Sequence, residues 1–192
     1  MRFALPGFAL IFALVASLGT HSAAAAATAT ASMGHKSAQS SNVLGFGAGA
    51  FIPQGIETDR YGTSWQTTIR GLAFGRGIAG GRSAISYANA SGKNGAASGD
   101  TYGIDLDLAL RFGHKTTGFY AFVGPGYYWT HFDRANPVTP GGPDVRFSDS
   151  NISANAGFGY SYKAFFVEAS YVNVFTPGDD VKFIPVTVGF QF

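Results

Sequence analysis

A chain of 192 residues with only 12% charged side chains, 15% aromatic ones, 27 glycines and a formal net charge of +2 does not read as a nucleic-acid binder, because its cations are scattered singly. It contains no cysteine, which excludes disulfides, thiolate catalysis and Cys-based zinc or iron–sulfur sites. A mean hydropathy of +0.11, with no long apolar run beyond the N-terminus, argues against a helical membrane protein. It leaves a membrane-spanning barrel open, since the hydropathy of alternating strands averages out.

At the N-terminus, Arg2 precedes an apolar stretch from Phe3 to Leu18, and a poly-alanine tract after Ser22 offers several A-x-A cleavage sites. Residues 1–25 are therefore expected to be a secretory signal peptide. Residues 26–41 are rich in Ala, Thr, Ser and Gly, too poor in large apolar side chains to pack, and are expected to form a flexible leader.

From residue 42 the pattern changes to apolar–polar alternation with a period of two, punctuated by Gly, Pro, Asn and Asp. Expected strands fall at residues 43–52, 64–74, 82–90, 102–112, 119–130, 151–162, 165–175 and 184–192. The segment 102–112 is the most regular: Tyr102, Ile104, Leu106, Leu108, Leu110 and Phe112 share one face, and Gly103, Asp105, Asp107, Ala109 and Arg111 the other. Segment 151–162 sets Ile152, Phe158 and Tyr160 opposite Asn151, Ser153 and Asn155. Segment 184–192 sets Ile184, Val186, Val188, Phe190 and Phe192 opposite Pro185, Thr187, Gly189 and Gln191. Strands of about 9 to 11 residues suffice to cross a bilayer when tilted. The connections alternate between short (75–81, 113–118, 163–164) and mostly longer (53–63, 91–101, 131–149, 176–181), as they do when one end of a barrel carries turns and the other carries loops. The expected fold is all-β, an eight-stranded antiparallel up-and-down transmembrane β-barrel spanning residues 42–192.

Aromatic residues cluster near the expected strand ends, where a membrane girdle would place them: Phe51, Tyr61, Trp65, Phe74, Tyr102, Phe112, Phe119, Tyr127, Tyr128, Trp129, Tyr160, Tyr162, Phe165 and Phe175. A cation facing lipid at the midplane costs about 2 to 4 kcal/mol, so Arg70, Asp105, Asp107, Arg111 and Glu168 are expected to point inward as an ion-pair network. Because eight strands enclose a space only wide enough for side chains, that network is read as a plug and not as a conducting path.

Three chemical alternatives stand beside this structural reading. Asp105 and Asp107 could serve as the acid and base of a glycosidase, but salt bridging explains them more simply. His131 and Asp133 could supply a general base in a lipid A-modifying barrel enzyme, yet the local sequence lacks a His-x-Ser pattern, no serine is placed by sequence as a nucleophile, and a solvated loop explains them more simply. Gly75 to Gly80 matches G-x-G-x-x-G, but no amphipathic helix follows, so a glycine-rich turn is expected in place of a dinucleotide site. The histidines at 21, 35, 114 and 131 are too dispersed for a metal site, and no cofactor is expected. A soluble periplasmic ligand carrier would line its barrel with apolar groups, whereas here Asp, Asn, Ser and Arg share that face.

The chain closes on Val186-Thr-Val-Gly-Phe-Gln-Phe192, apolar at every second place with a terminal aromatic. This resembles the C-terminal signal of outer-membrane barrels, in which Val186, Val188, Phe190 and Phe192 would be read by the barrel-assembly machinery. Gly49 to Pro53 resembles the end of the first strand, and Phe166 to Tyr171 the penultimate strand, of the small outer-membrane barrels of the OmpA, OmpX and opacity type. The resemblance covers residues 42–192. It implies a non-enzymatic protein of the bacterial outer membrane, surrounded by outer-membrane lipid and lipopolysaccharide, with a structural, adhesive or surface-interaction role carried by its loops.

Overall fold

Alternation at period two buries one face of every strand and exposes the other, and a sheet with two such different faces removes its edges by closing on itself. The computed structural model describes residues 41–55, 57–75, 77–93, 98–114, 117–134, 145–177 and 180–192. The expected signal peptide, and all of the expected leader except Ser41, lie outside the described residues. Eight strands form in chain order: β1 (Ser41–Gln54), β2 (Ser64–Phe74), β3 (Ala79–Ala90), β4 (Gly99–His114), β5 (Thr117–Arg134), β6 (Val145–Tyr162), β7 (Phe165–Val174) and β8 (Val181–Gln191). Each pairs antiparallel with its neighbour, and β8 pairs with β1, so the sheet is a closed up-and-down barrel.

The strands outrun their sequence-derived bounds mainly at the loop end. Residues 131–134 and 145–149, expected as loop, extend the β5–β6 hairpin through Phe132↔Phe147 and Arg134↔Val145. Polar and charged residues there interrupt the apolar pattern without interrupting the ladder, because beyond a membrane neither face needs to be apolar. A single-turn helix, α1 (Glu57–Arg60), occupies the first loop. At the turn end, β6 and β7 are joined by Lys163 and Ala164, with Lys163 in the left-handed region at φ 54°. Gly113 and Gly118, facing each other across the β4–β5 turn, take φ of 152° and 141°, where a side chain would be strained.

Two prolines interrupt ladders away from the strand ends. The β4–β5 register runs to Asp105↔Gly126 and resumes at Leu108↔Val123, skipping Pro125. The β7–β8 register runs to Ala169↔Val186 and resumes at Val172↔Phe183, skipping Pro185. Proline has no amide hydrogen to donate, so each seam loses ladder bonds at that height.

The outer surface is apolar. Leu106, Leu108, Val123, Ile152, Phe158 and Val188 are among its exposed side chains, Phe158 at 65%. Aromatic rings gather in two bands. Toward the loops, Trp65 meets Tyr87 edge-on and Tyr87 meets Tyr102 at a tilt, with centroids 5.3 and 4.9 Å apart, and Trp129 follows on β5 opposite Tyr102. Toward the turns, Phe119 meets Tyr160 at 4.7 Å and Phe165 meets Phe190 at 4.9 Å. Ten residues separate Tyr102 from Phe112 on β4, a rise of about 25 Å for a strand tilted by about 40 to 45°. That matches the height of the apolar band on membrane barrels, about 25 Å. Between the bands the outward positions of β4 hold only Ile104, Leu106, Leu108 and Leu110.

Four aromatics expected in the girdle lie inside instead. Phe51, Tyr61, Phe74 and Tyr128 are all buried. Position along the chain brought them near strand ends, but parity decides the face: Tyr128 sits between the outward Tyr127 and Trp129 and must point inward.

A closed sheet with every strand paired resists detergent until it is heated. Unboiled protein in SDS is therefore expected to migrate differently from boiled protein, and identical mobility of the two would contradict a closed, lipid-embedded barrel.

Candidate functional site

The barrel interior is built in layers, and glycine makes the deepest of them possible. On β1 the inward face carries Gly45, Gly47 and Gly49, and a Cβ on Gly45 would lie 3.0 Å from the Phe166 ring and 3.1 Å from Arg70 Nε. A Cβ on Gly159 would meet the Tyr120 ring, and one on Gly103 the Tyr128 ring. Large inward side chains on β2, β5 and β7 thus occupy space that glycines on neighbouring strands leave open.

At the centre, two guanidinium groups share one carboxylate. Arg70 is 1% exposed and Glu168 4%. Arg70 Nη1 donates to Glu168 Oε1 at 2.7 Å and to Tyr120 Oη at 2.5 Å, while Nη2 donates to Gln191 Oε1 at 2.6 Å. Arg82 Nη2 donates to Glu168 Oε2 at 2.9 Å and Nε to Oε1 at 3.2 Å, and Nη1 reaches Asp107 Oδ2 at 2.5 Å. Tyr120 Oη completes the circuit by donating to Glu168 Oε1 at 2.7 Å. Each guanidinium also lies over a ring, Arg70 over Phe166 at 3.7 Å and Arg82 over Phe122 at 4.1 Å. Aromatic faces attract cations most where water is excluded.

Asp105 is held apart from the arginines' direct bonds, accepting from Tyr128 Oη and Asn155 Nδ2, both at 3.1 Å. Nearer the loops the lining becomes apolar: Phe51, Tyr61, Tyr128, Val172, Val174 and Phe183 pack as one cluster. Tyr61 reaches it from the first loop, which is tied to the second by the Tyr61↔Gly92 bridge. Between the charged and apolar layers lies a cavity of about 20 Å³ bordered by Arg82, Asp105, Ser86 and Thr187. A water molecule needs at least about 10 to 15 Å³ measured this way, so the cavity has room for one.

Of the five residues expected to form the interior network, Arg70, Asp105, Asp107 and Glu168 come together. Arg111 does not. It shares their face but stands four residues beyond Asp107 on β4, about 13 Å along the strand. There its guanidinium covers the Phe74 ring at 4.6 Å and donates to the Gly77 carbonyl at 3.3 Å, at the turn-end mouth. Arg82, the hub that joins Asp107 to Glu168, was missed by sequence reasoning, as were Tyr120 and Gln191. The terminal residues Val186, Val188, Phe190 and Phe192 all face outward, and Phe192 exchanges backbone hydrogen bonds with Leu44 of β1 at 2.9 and 3.0 Å, at the closing seam.

His131 lies outside the barrel wall on the outward face of β5, its ring edge-on to Tyr102 at 6.1 Å. Asp133 pairs with Arg146 across the β5–β6 hairpin in the backbone register. Gly75, Gly77 and Ile78 lie between β2 and β3, and Ala79 and Gly80 are the first residues of β3, so the glycine pattern opens a strand, with no helix N-terminus among the described residues there to hold a phosphate.

Removing one partner of a buried ion pair leaves an uncompensated charge, at a cost of about 3 to 5 kcal/mol. Glu168→Ala, which strips Arg70 and Arg82 of their shared carboxylate at once, is expected to lose at least that much. Urea unfolding in micelles or vesicles measures it, and a loss below about 1 kcal/mol, the scale of an exposed pair, would mean that the network is not desolvated.

No protein-family model and no curated protein matches the chain. Among solved structures, the N-terminal β-barrel domain of Pseudomonas aeruginosa OprF superposes with a TM-score of 0.56 at 19% identity, covering 80% of this chain and 100% of that one. Neisserial surface protein A gives 0.52 at 13%, covering 80% and 97%. Ail, the attachment invasion locus protein of Yersinia pestis, solved with the heparin analogue sucrose octasulfate, gives 0.50 at 16%, covering 80% and 97%. At these identities the likeness is one of fold, and together with the closed strand order it shows that this chain has the fold of the small, eight-stranded outer-membrane β-barrels of the OmpA and OmpX type.

Proposed function

We infer that the chain is an integral, non-enzymatic protein of the bacterial outer membrane, with a structural, adhesive or surface-interaction role carried by its loops. The observation that supports this best is the pairing of an apolar outer band of about 25 Å with a filled, ion-paired interior. A barrel with such an exterior belongs in lipid, and in the outer membrane its neighbours would be phospholipid and lipopolysaccharide. Glu168 and one oxygen of Asp107 are held by arginines, Asp105 by a tyrosine and an asparagine, and the cavity of about 20 Å³ beside Asp105 and Glu168 has room for a single water. That leaves the loop end to carry interactions. The name of one structural neighbour, an attachment invasion locus protein, is in keeping with such a role.

Two measurements test the reading. Membrane fractionation should recover the protein with the outer membrane. In planar bilayers the purified protein should show no large, steady conductance, because the charged layer, backed by the apolar cluster above it, obstructs the bore. Recovery as a soluble periplasmic protein would overturn the location, and open pores of porin size would overturn the filled interior.

Biogenesis gives a separate test at Phe192, whose side chain is 80% exposed on the outward face. Deleting it removes one lipid-facing ring, roughly 1 to 3 kcal/mol of burial, together with the last backbone pair of the closing seam. The remaining seven ladders are intact, so refolding in micelles should survive. Assembly in cells should suffer more, since the edge strand must be recognised through Val186, Val188, Phe190 and Phe192 while the barrel is open. Equal amounts of deletion variant and wild type in the outer membrane would show that the C-terminus is a strand and nothing more.

A further inference from the structure

Beside the charged layer, β5 carries two inward glycines, Gly124 and Gly126, one on each side of Pro125. The register sets Asp105 and Ser153 on either side of Gly126, and Asn155 beside Gly124. Asp107 completes the arrangement, because a Cβ on Gly124 would lie 2.6 Å from its Oδ1. A Cβ on Gly126 would likewise meet Asp105 Oδ1 and, at 2.5 Å, Ser153 Oγ. Four oxygen-bearing side chains therefore lean over a stretch of wall that has no side chains of its own.

Three of their oxygens are buried without a hydrogen-bond partner: Asp107 Oδ1, Ser153 Oγ and Asn155 Oδ1. Ser153 is 1% exposed, Asn155 4% and Asp107 7%. Rotating the Asn155 amide does not relieve this, because its Nδ2 is fixed by donating to Asp105 Oδ1 and the exchange would set two acceptors against each other. A carboxylate oxygen and an amide oxygen accept only, so what satisfies them is a cation or a donor. The local charge points to a cation. Within the buried layer, the guanidinium groups of Arg70 and Arg82 face three carboxylates, those of Asp105, Asp107 and Glu168, and Arg111 stands apart at the mouth.

We propose that Asp105, Asp107, Ser153 and Asn155 bind one monovalent alkali cation against the glycine face of β5. An all-oxygen set suits a hard cation and disfavours a soft transition metal. A single positive charge brings the buried layer to neutrality, whereas a divalent ion would leave an excess. The ion would be trapped as the barrel closes, tying β4 to β6 across the seam that Pro125 weakens.

The test is to refold the full barrel from urea into micelles in NaCl, KCl or choline chloride of equal ionic strength, and to follow thermal unfolding. The expected result is a saturable rise in Tm of about 3 to 6 °C with the alkali ion over choline. Ser153→Ala, which removes one neutral oxygen without touching the ion pairs, should raise the half-saturating concentration about tenfold. Asp107→Asn should abolish the alkali-ion dependence. If Asp107→Asn fails to fold, Ser153→Ala and a second readout still decide: crystals grown with Tl+ should show an anomalous peak among the four side chains. Equal Tm in all three salts, a stability that follows pH but not the cation, or a cluster holding only a water without anomalous signal would each overturn the proposal.

Discussion

The cross-section of an eight-stranded closed sheet is the constraint on which the rest of this structure depends. Closure satisfies every strand edge, but it fixes an interior only as wide as the side chains that fill it. Volume inside must therefore be balanced around the ring at each height. The bulky inward residues Arg70, Tyr120, Phe122 and Phe166 fit because Gly45, Gly47, Gly157 and Gly159 contribute nothing beyond their backbones. The abundance of glycine in the composition is thus a packing requirement more than a loop signal. A methyl group at Gly159 would have to displace Tyr120, which bonds both Arg70 and Glu168.

Once the bore is filled, its chemistry follows from what the outer face excludes. Charges cannot face lipid cheaply, so those within the membrane-spanning strands turn inward and must then be paired. The geometry is economical: Glu168 receives both arginines and a tyrosine, and each guanidinium spends its remaining face on a phenyl ring. Such a network connects β2, β3, β4, β5, β7 and β8 through side chains alone. It therefore constrains register around the ring in a way that apolar contacts, being non-directional, do not. A one-residue slip of β2, β3, β4 or β7 would send a charge to lipid and an outward side chain into the ion pairs.

Period two made the strand count, the closure and the face of most residues legible in the sequence. It succeeded best on β4, where every outward position from Tyr102 to Phe112 is large and apolar. It failed where the two faces do not differ. On β3 the inward Arg82, Ala84 and Ser86 alternate with Gly81, Ser83 and Ile85, a weak contrast, and so the central Arg82 was not singled out. On β5 the run Tyr127, Tyr128, Trp129 is aromatic on both faces, which hid the inward Tyr128 among girdle residues. Arg111 shows the complementary limit: parity assigns a face but not a height, and four residues of rise separate it from Asp107. The partners in the network lie on strands as far apart in sequence as Arg70 and Gln191, a juxtaposition that only closure creates.

Pro125 shows how a locally unfavourable residue can be consistent with the whole. In a central strand proline forfeits a ladder bond, and a glycine on each side further weakens the local preference for strand. Yet the outward-facing proline ring is apolar and suits lipid, and the flanking glycines allow β4 to approach so closely that a Cβ on Gly124 would meet the backbone of Leu106 and Asp107. The same glycines leave the inward wall bare where Asp105, Asp107, Ser153 and Asn155 converge. The β4–β5 seam, weakened in its backbone at Pro125, is thus bridged from inside by side chains, with Asn155 of β6 reaching Asp105 of β4 across β5. Polar residues at that height do what ladder bonds cannot, and the buried oxygens left over there are a consequence of that substitution.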